Sequence, residues 1–521
     1  MKVTLESRIK QLREIRDRAL KAGGEAKITA HREKGKLTAR ERIEYLLDNG
    51  SFVELNMLLN HLDGVPGDGI VCGHGTVDGR LICIYSQDTT VRGGSVGVLH
   101  GYKMYKTVEH AFQMGVPLVG LLDSPGARVP RITESKSVHG EVMEKTGASV
   151  FFPNTQSSGL VPQIAGIMGS CAGLSAYSPA LMDFIFMVDK QSHMFITGPS
   201  MVKTAIGEEV SHEHLGGARV HCQISGVADG RFSSDRECLE KIRELLSYLP
   251  SNADEKPPAI KMNDNPERVN CELEDIVPSS PNKSYDMHRV IHSIVDESRF
   301  FEIKPEFAGE MIVGFGRLNN QTVGIVANQP MVRAGCLTVD SSDKQTRFMR
   351  FCDCFNIPII LLVDTPAYLP GSAQEHMGII RHGAKVLYAL CEATVPRIAV
   401  VLRKCYGGGN LGMGVMPGFG TDLVYYWPIV EVGILGAEAS VELYFGDEIR
   451  NSQNPEGMRE ERLKEFIEKY SNPMREVSVN WGIDNIIEPK ETRKTLIQGL
   501  SFLSTKRRMD RFPKRHGNIP M

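Results

Sequence analysis

The sequence predicts an α/β protein built as a tandem duplication, and three observations carry that reading. First, a nine-residue segment recurs: Ile70-Val71-Cys72-Gly73-His74-Gly75-Thr76-Val77-Asp78 is echoed by Met311-Ile312-Val313-Gly314-Phe315-Gly316-Arg317-Leu318-Asn319. Second, a constant spacing of 241 residues then pairs Val91-Arg92 with Val332-Arg333, Pro117 with Pro358, and Asp123-Ser124-Pro125 with Asp364-Thr365-Pro366. Similarity kept in register over about fifty residues marks an internal repeat. Third, apolar runs of strand length alternate with helix-period segments in each copy, the pattern of a largely parallel sheet.

The elements follow in order. At the N-terminus, residues 1–13 alternate charged and apolar side chains and lack the apolar core of a signal peptide. Thr38 and Glu41 form a capping box that opens a helix over 39–47, so the first copy is preceded by a helical arm. In that copy, 81–85 reads as a strand, 103–114 as a helix stopped by Gly115, and 116–122 as a continuous apolar strand buried on both faces. The second copy repeats this with 323–326, 344–355 and 357–363. Right-handed crossovers would join such units. The Pro- and Asn-rich stretch 251–286 reads as the connection, which divides the chain into a first domain over 1–255 and a second over 270–521.

Composition excludes several functions. Of the 521 residues, 41% are hydrophobic and 24% charged, an ordinary globular balance, and the net charge of −3 with interspersed signs argues against nucleic acid. The longest apolar run, 357–363, is far too short to cross a membrane. The 11 cysteines are scattered, without the paired grouping of a zinc site, so no metal is expected. A soluble protein of the cytoplasm, or of an organelle matrix after removal of a transit peptide, is the expectation.

The residues able to carry chemistry lie after a third apolar strand in each copy. The first reads Met168-Gly169-Ser170-Cys171-Ala172-Gly173-Leu174 and the second Arg403-Lys404-Cys405-Tyr406-Gly407-Gly408-Gly409. A small-residue turn opening a helix presents unpaired backbone N–H groups to an anion, although glycines there also serve simple close packing. Two such turns suggest two anionic centres held at once. Three other motifs are weaker. Gly93-Gly94-Ser95-Val96-Gly97 fits a hydrolase elbow, but its repeat has Cys336 instead of the serine and no histidine is placed by pattern. Gly407 to Gly412 fits a dinucleotide fingerprint, yet Arg403 to Tyr406 intervene between strand and glycine. His212 and His214 flank Glu213 at a spacing typical of solvated surface. No side chain stands out as a general base, and Asp123 and Asp364 read as turn-fixing residues.

Specific segments extend the argument along nearly the whole chain. They include Gly35-Lys36-Leu37-Thr38-Ala39-Arg40-Glu41-Arg42-Ile43, Gly50-Ser51-Phe52-Val53-Glu54, Tyr177-Ser178-Pro179-Ala180-Leu181 and Phe195-Ile196-Thr197-Gly198-Pro199. Asn356-Ile357-Pro358, Leu369-Pro370-Gly371, Gly378-Ile379-Ile380-Arg381-His382-Gly383-Ala384-Lys385 and the tail Arg515-His516-Gly517-Asn518-Ile519-Pro520 complete the set. In these the chain closely resembles the β-subunit family of propionyl-CoA carboxylase, a branch of the crotonase-like carboxyltransferases. The resemblance implies tandem crotonase-like (ClpP-like) ββα-repeat domains, the first on the acyl-CoA side and the second on the biotin side. It implies a carboxyltransferase that moves CO2 from carboxybiotin on a carrier protein to the α-carbon of an acyl-CoA through an enolate held in oxyanion holes; an acyl-CoA decarboxylase or transcarboxylase runs the same chemistry in reverse.

By position, the N–H groups of Gly173 and Leu174 would hold the thioester oxygen, and those of Gly408 and Gly409 the ureido oxygen of biotin. Biotin would supply its own base, in keeping with the missing side-chain base. Ala127, Arg128, Asn410 and Leu411 are implied as substrate contacts. In the family the first domain of one chain meets the second domain of another, and three such dimers make a hexamer. With no Ala-Met-Lys-Met biotinylation site and no ATP-grasp-sized region in these 521 residues, the biotin carrier and biotin carboxylase are expected on other polypeptides.

Departures from the family pattern locate the specificity. Leu174 replaces the second glycine of Cys-Ala-Gly-Gly, and Ser-Gly-Gly-Ala-Arg-Ile-Gln-Glu-Gly becomes Ser124-Pro125-Gly126-Ala127-Arg128-Val129-Pro130-Arg131-Ile132. The propionyl-type Tyr-Gly-Gly-Ala-Tyr-Asp-Val-Met becomes Tyr406-Gly407-Gly408-Gly409-Asn410-Leu411-Gly412-Met413. Leu411 stands where the family's selective Asp does, while Asn410 and Gly412-Met413 resemble the methylcrotonyl type. An acyl group other than plain propionyl is therefore expected.

Overall fold

In the computed structural model the two copies become two sheets of one design. The structure describes residues 4–128, 150–416, 418–480 and 482–506; Val129-Pro130-Arg131-Ile132 and the tail Arg515–Pro520 lie outside them. The chain divides between Lys256 and Pro257 into two units. Residues 257–269, read from sequence as part of the connection, belong with the second unit. Their backbone is fixed there, the Met262 N–H donating to Asn320 Oδ1 at 2.6 Å and the Asn263 N–H to Glu297 Oε1 at 2.9 Å.

In the first unit the strands are β1 (Val53–Leu55), β2 (Ile70–Val77), β3 (Arg80–Gln87), β4 (Leu118–Ser124), β5 (Gln163–Ala172), β6 (Phe184–Val188), β7 (His193–Phe195) and β8 (Gly230–Phe232). Their order is β1-β2-β3-β4-β5-β6-β8, with β7 pairing the far end of β5. The second unit has β9 (Phe301–Ile303), β10 (Met311–Leu318), β11 (Gln321–Asn328), β12 (Ile359–Thr365), β13 (Arg397–Tyr406), β14 (Leu423–Tyr426), β15 (Glu431–Gly433) and β16 (Asn485–Ile486), ordered β16-β14-β13-β12-β11-β10-β9, with β15 on β13. The hairpins β2–β3 and β10–β11 are antiparallel, and everything from β3 to β8 and from β11 to β16 is parallel. Strands β4 and β12 are buried at every residue, which explains their unbroken apolar runs.

The predicted helices are longer than their periodicity showed, spanning Val98–Met114 and Val339–Cys354. Each buries a lysine on its inner face, read from sequence as the start of the helix. Lys103 Nζ donates to the carbonyls of Gly67 and Ile70, and Lys344 Nζ to those of Lys304 and Phe307. Burial pulls the Lys344 ammonium down to about 7. The capping box of the arm is formed as read: Thr38 Oγ1 accepts from the Glu41 N–H, Glu41 Oε2 accepts from the Thr38 N–H, and the helix runs Ala39–Leu46. Among the described residues no helix is long and apolar enough to cross a membrane.

Both sheets break register at the same place. The partner of β4 jumps from Ile167 opposite Leu122 to Cys171 opposite Ser124, and that of β12 from Val401 opposite Val363 to Cys405 opposite Thr365. Such an irregularity re-aims one side chain, here Asp123 and Asp364. Each backbone N–H of these aspartates donates to a buried amide oxygen, Gln87 Oε1 at 3.0 Å and Asn328 Oδ1 at 3.1 Å. Each carboxylate is buried against cations. Asp123 meets Lys36 at 2.8 Å and Arg42 at 3.4 Å, both from the arm, and Arg42 also binds Asp235 at 2.8 Å. Asp364 meets Arg403 at 3.1 Å, from β13 itself. The β5 residue equivalent to Arg403 is Gly169, and a Cβ there would lie 1.8 Å from Asp123 Oδ1 and 2.6 Å from Lys36 Nζ. Glycine makes room for the arm's lysine.

Two predictions follow from this packing. Gly169→Ala should displace the Asp123 carboxylate from its cations and destabilise the protein by about 3 kcal/mol or more, as breaking a buried ion pair does; an unchanged urea midpoint would exclude the role given to Gly169. The second concerns His288, whose Nε2 lies 2.9 Å from Glu302 and whose Nδ1 lies 2.8 Å from Asp286. The hydrogen bond to Glu302, then that to Asp286, raises its pKa to about 9 against the opposing effect of burial. A raised histidine stabilises fully below its unfolded pKa of about 6.5 and loses that contribution as pH rises through the folded value. The melting temperature should therefore fall between pH 6.5 and pH 9, and His288→Gln should flatten that decline.

Candidate active site

The two glycine turns sit at the carboxyl ends of the longest strands, β5 and β13, and their geometry can be matched residue by residue. Ala172 pairs with Phe195 of β7, and Tyr406 with Gly433 of β15. Gly173 therefore corresponds to Gly407, with φ of 53° and 45° in the left-handed region that glycine adopts without strain. A short helix follows Gly173, over Leu174–Ala180, and another opens on Gly407 itself, over Gly407–Gly412. The spacing between copies, 241 residues at Asp123 and Asp364, has become 234 at Gln163 and Arg397.

This register alters one member of the sequence-based donor pairs, Gly173. The N–H of Gly173 donates to the Phe195 carbonyl at 3.1 Å, so it is not free for a ligand. The amides with no helical carbonyl behind them are those of Leu174 and Ser175, the first residues of the helix. Their equivalents in the second unit are Gly408 and Gly409, the expected pair there. Ser175 was missed because nothing in its local sequence sets it apart; it is buried, and its Oγ lacks a partner among the described residues.

Around the turns the two units differ. Val96 bridges to exposed Ala127 in the first, and Leu337 to Tyr368 in the second. Tyr368 fills the space beside the second turn: a Cβ on Gly408 would lie 3.1 Å from its ring, and one on Gly412 2.7 Å from its hydroxyl. Burial pushes that phenol up to about 12. The room that Gly412 leaves is thus taken by Tyr368. Arg128, expected to contact substrate, is held by protein groups. Its Nη1 donates to Asp68 at 2.9 Å, Nη2 to the Ser95 carbonyl at 2.7 Å, and Nε to Ser95 Oγ at 3.1 Å. It fixes the 95–97 loop, and its equivalent in the second unit is uncharged Leu369, whose N–H reaches the Leu337 carbonyl at 2.7 Å.

Asn410 and Leu411 lie in the short helix Gly407–Gly412, both half-buried. Asn410 Oδ1 is buried with no partner among the described residues. The residue lines a cavity of about 310 Å³ with Val415, Tyr426, Val432, Ile434 and Tyr470. A larger hollow of about 700 Å³ along the 56–63 loop shares no residue with either turn.

The remaining motifs carry no chemistry of their own. Ser95 Oγ donates to the Arg92 carbonyl and accepts from Arg128, so it is no nucleophile. Cys171 and Cys405, one on each strand before its turn, are buried thiols; burial pushes Cys171 up to about 12 and Cys405 in the same direction. Glu431 beside the second turn accepts from the Tyr406 hydroxyl at 2.5 Å. Among the described residues no cluster could hold a metal ion. His193, not singled out by its sequence context, proves to sit on β7 directly behind the first turn, 2.9 Å from Glu213.

Known proteins of the same build share this architecture. The Carboxyl transferase domain family matches residues 30–519. The carboxyltransferase subunit of propionyl-CoA carboxylase from Haloferax mediterranei is 46% identical over 100% of both chains. Methylmalonyl-CoA decarboxylase subunit alpha from Veillonella parvula is 43% identical over 99% of this chain and 100% of its own. A crystal structure of the transcarboxylase 12S hexamer, with methylmalonyl-coenzyme A and methylmalonic acid bound, superposes with a TM-score of 0.92 at 42% identity, covering 100% of this chain and 99% of that one. Two sheets of one design, each ending in a glycine turn with free amides, and similarity along the full length lead to one conclusion: the chain belongs to the carboxyl transferase family and is an enzyme of the propionyl-CoA carboxylase carboxyltransferase type.

Proposed function

We propose that this enzyme transfers CO2 from carboxybiotin, borne by a separate carrier protein, to the α-carbon of an acyl-CoA. The observation that carries the reading is the pair of equivalent turns, each offering two adjacent amides at a strand end. Leu174 and Ser175 would hold the thioester oxygen, donating to the charge that develops as the α-carbon becomes an enolate; each such donor is worth on the order of 10²–10³ in rate. Gly408 and Gly409 would hold the ureido oxygen of biotin. The second turn suits that neutral, compact group: the Tyr368 ring narrows it, and Glu431, on the strand beside it, is engaged by Tyr406. Biotin, when bound, supplies the carboxyl group and the ureido nitrogen that takes the α-proton, so the chain needs no side-chain base. Arg128 acts by fixing the loop beside the first turn, and Ala127 leaves that turn open for the larger ligand. Biotin carboxylase and the carrier are the expected partners, in a homo-hexamer of the kind described for transcarboxylase 12S.

The similarity to a methylmalonyl-CoA decarboxylase subunit supports a second reading, in which the same site runs toward decarboxylation. Direction is decided by the partner subunits, since the chemistry at the turns is common to both.

With free biotin present, the purified chain should decarboxylate a malonyl-type CoA ester. Turnover at the same rate without biotin would sink the assignment. The acyl group is expected to differ from plain propionyl, because Leu411 replaces the family's selective Asp. Leu411→Asp should change the ranking of a panel of acyl-CoA substrates by more than ~10-fold, about 1.4 kcal/mol in differential transition-state binding. An equal loss on every substrate would instead make Leu411 a packing residue.

A further inference from the structure

The strand that takes the Gly173 N–H is only three residues long, and polar side chains hold it in place. In β7, His193 is fixed at both ring nitrogens, Nδ1 lying 3.1 Å from Ser170 Oγ and Nε2 2.9 Å from Glu213 Oε1. A carboxylate only accepts, so Nε2 carries the proton and donates to Glu213, while Nδ1 accepts from the Ser170 hydroxyl. Burial keeps the ring neutral by lowering its pKa; Glu213 opposes this, and the nearby His212 and Lys36 reinforce it. The carbonyl of Met194 is held by His221 Nε2 at 2.7 Å, and the carbonyl of Phe195 then receives the Gly173 N–H. The rings of His193 and Phe195 each pack against His212, with centroids 5.6 and 5.7 Å away.

The second unit lacks this device. Lys404 pairs with Glu431 where Ser170 pairs with His193, and Glu431 is engaged by Tyr406 instead. The imidazole clamp therefore belongs to the first turn alone and is not a general requirement of the fold.

We propose that His193 is the positioning residue of the first glycine turn: held between Ser170 and Glu213, it sets the strand whose Phe195 carbonyl fixes the Gly173 peptide, and so aims the Leu174 and Ser175 amides. Its catalytic consequence rests on the assignment of that turn to the thioester oxygen. The donors are useful only at the place the charge develops, and a displacement of about 1 Å is enough to lose up to 10²-fold in rate.

The test uses the full-length protein with free biotin and, from a panel of malonyl-type CoA esters, the one it decarboxylates fastest. His193→Leu should lower kcat at least ~10-fold while KM for that ester moves less than ~3-fold, because geometry and not uniform binding is lost. His193→Gln, which can still donate to Glu213, should recover part of kcat. Hydrogen exchange should be faster at Gly173 to Ala176 in His193→Leu than in the wild type. Glu213→Ala, which removes the acceptor of the Nε2–H at a half-exposed position and spares the core, should shift kcat and exchange in the same direction and covers the case of a misfolded leucine variant. Unchanged kcat in a folded His193→Leu, or unchanged exchange over the turn, overturns the proposal. If the wild type moves no carboxyl group to biotin, the parent assignment fails, and the exchange measurement alone then decides whether His193 positions the turn.

Discussion

Each domain depends on one buried carboxylate beneath its turn. Asp123 and Asp364 stand where the two central strands lose register, and the displaced backbone allows β5 and β13 to run on to their glycines. A carboxylate taken out of water is tolerated only when cations and donors surround it. Both aspartates meet that demand with an amide side chain on the backbone N–H and a guanidinium on the carboxylate. The constraint reaches outward: it decides that position 169 is glycine and position 403 arginine, and it fixes the strand end from which the turn departs.

On that shared frame the copies have diverged in the side chains around their turns. Ala127 against Tyr368, Arg128 against Leu369, Leu174 against Gly408 and His193 against Glu431 are matched pairs in matched backbone. The first turn is open, ringed by fixed polar groups and tied by an imidazole. The second is narrow, glycine-rich and closed on one side by an aromatic ring. Duplication thus supplied two similar turns, and substitution at a few positions made them unequal.

Much of this was legible in the sequence because it rests on local or periodic signals. The fully buried strands, the capping box of Thr38 and Glu41 and the two glycine turns declare themselves within a dozen residues, and the repeat shows as a register kept over about fifty. What escaped depends on partners distant along the chain. The N–H of Gly173 is claimed by Phe195, on a strand that begins only after β6 has formed. Arg128 is claimed by Asp68, which no pattern links to it. The seven-residue contraction of the second copy between the aspartate and the third strand hid the correspondence of Gly173 with Gly407, and so the part played by Ser175.

The different origins of the two counter-cations bear on how the protein comes to be folded. Arg403 follows Asp364 by 39 residues, so that pair can close soon after its own strands are made. The Asp123 cluster joins Lys36 and Arg42 from the beginning of the domain to Asp235 near its end, with Arg42 and Asp235 193 residues apart. Contacts of such long sequence separation form late, since the loop they close must be ordered first. During vectorial synthesis the first domain cannot neutralise Arg42 fully until Asp235 has emerged. The arm is accordingly tied through Arg42 to the last helix of the domain it precedes and is not an independent appendage.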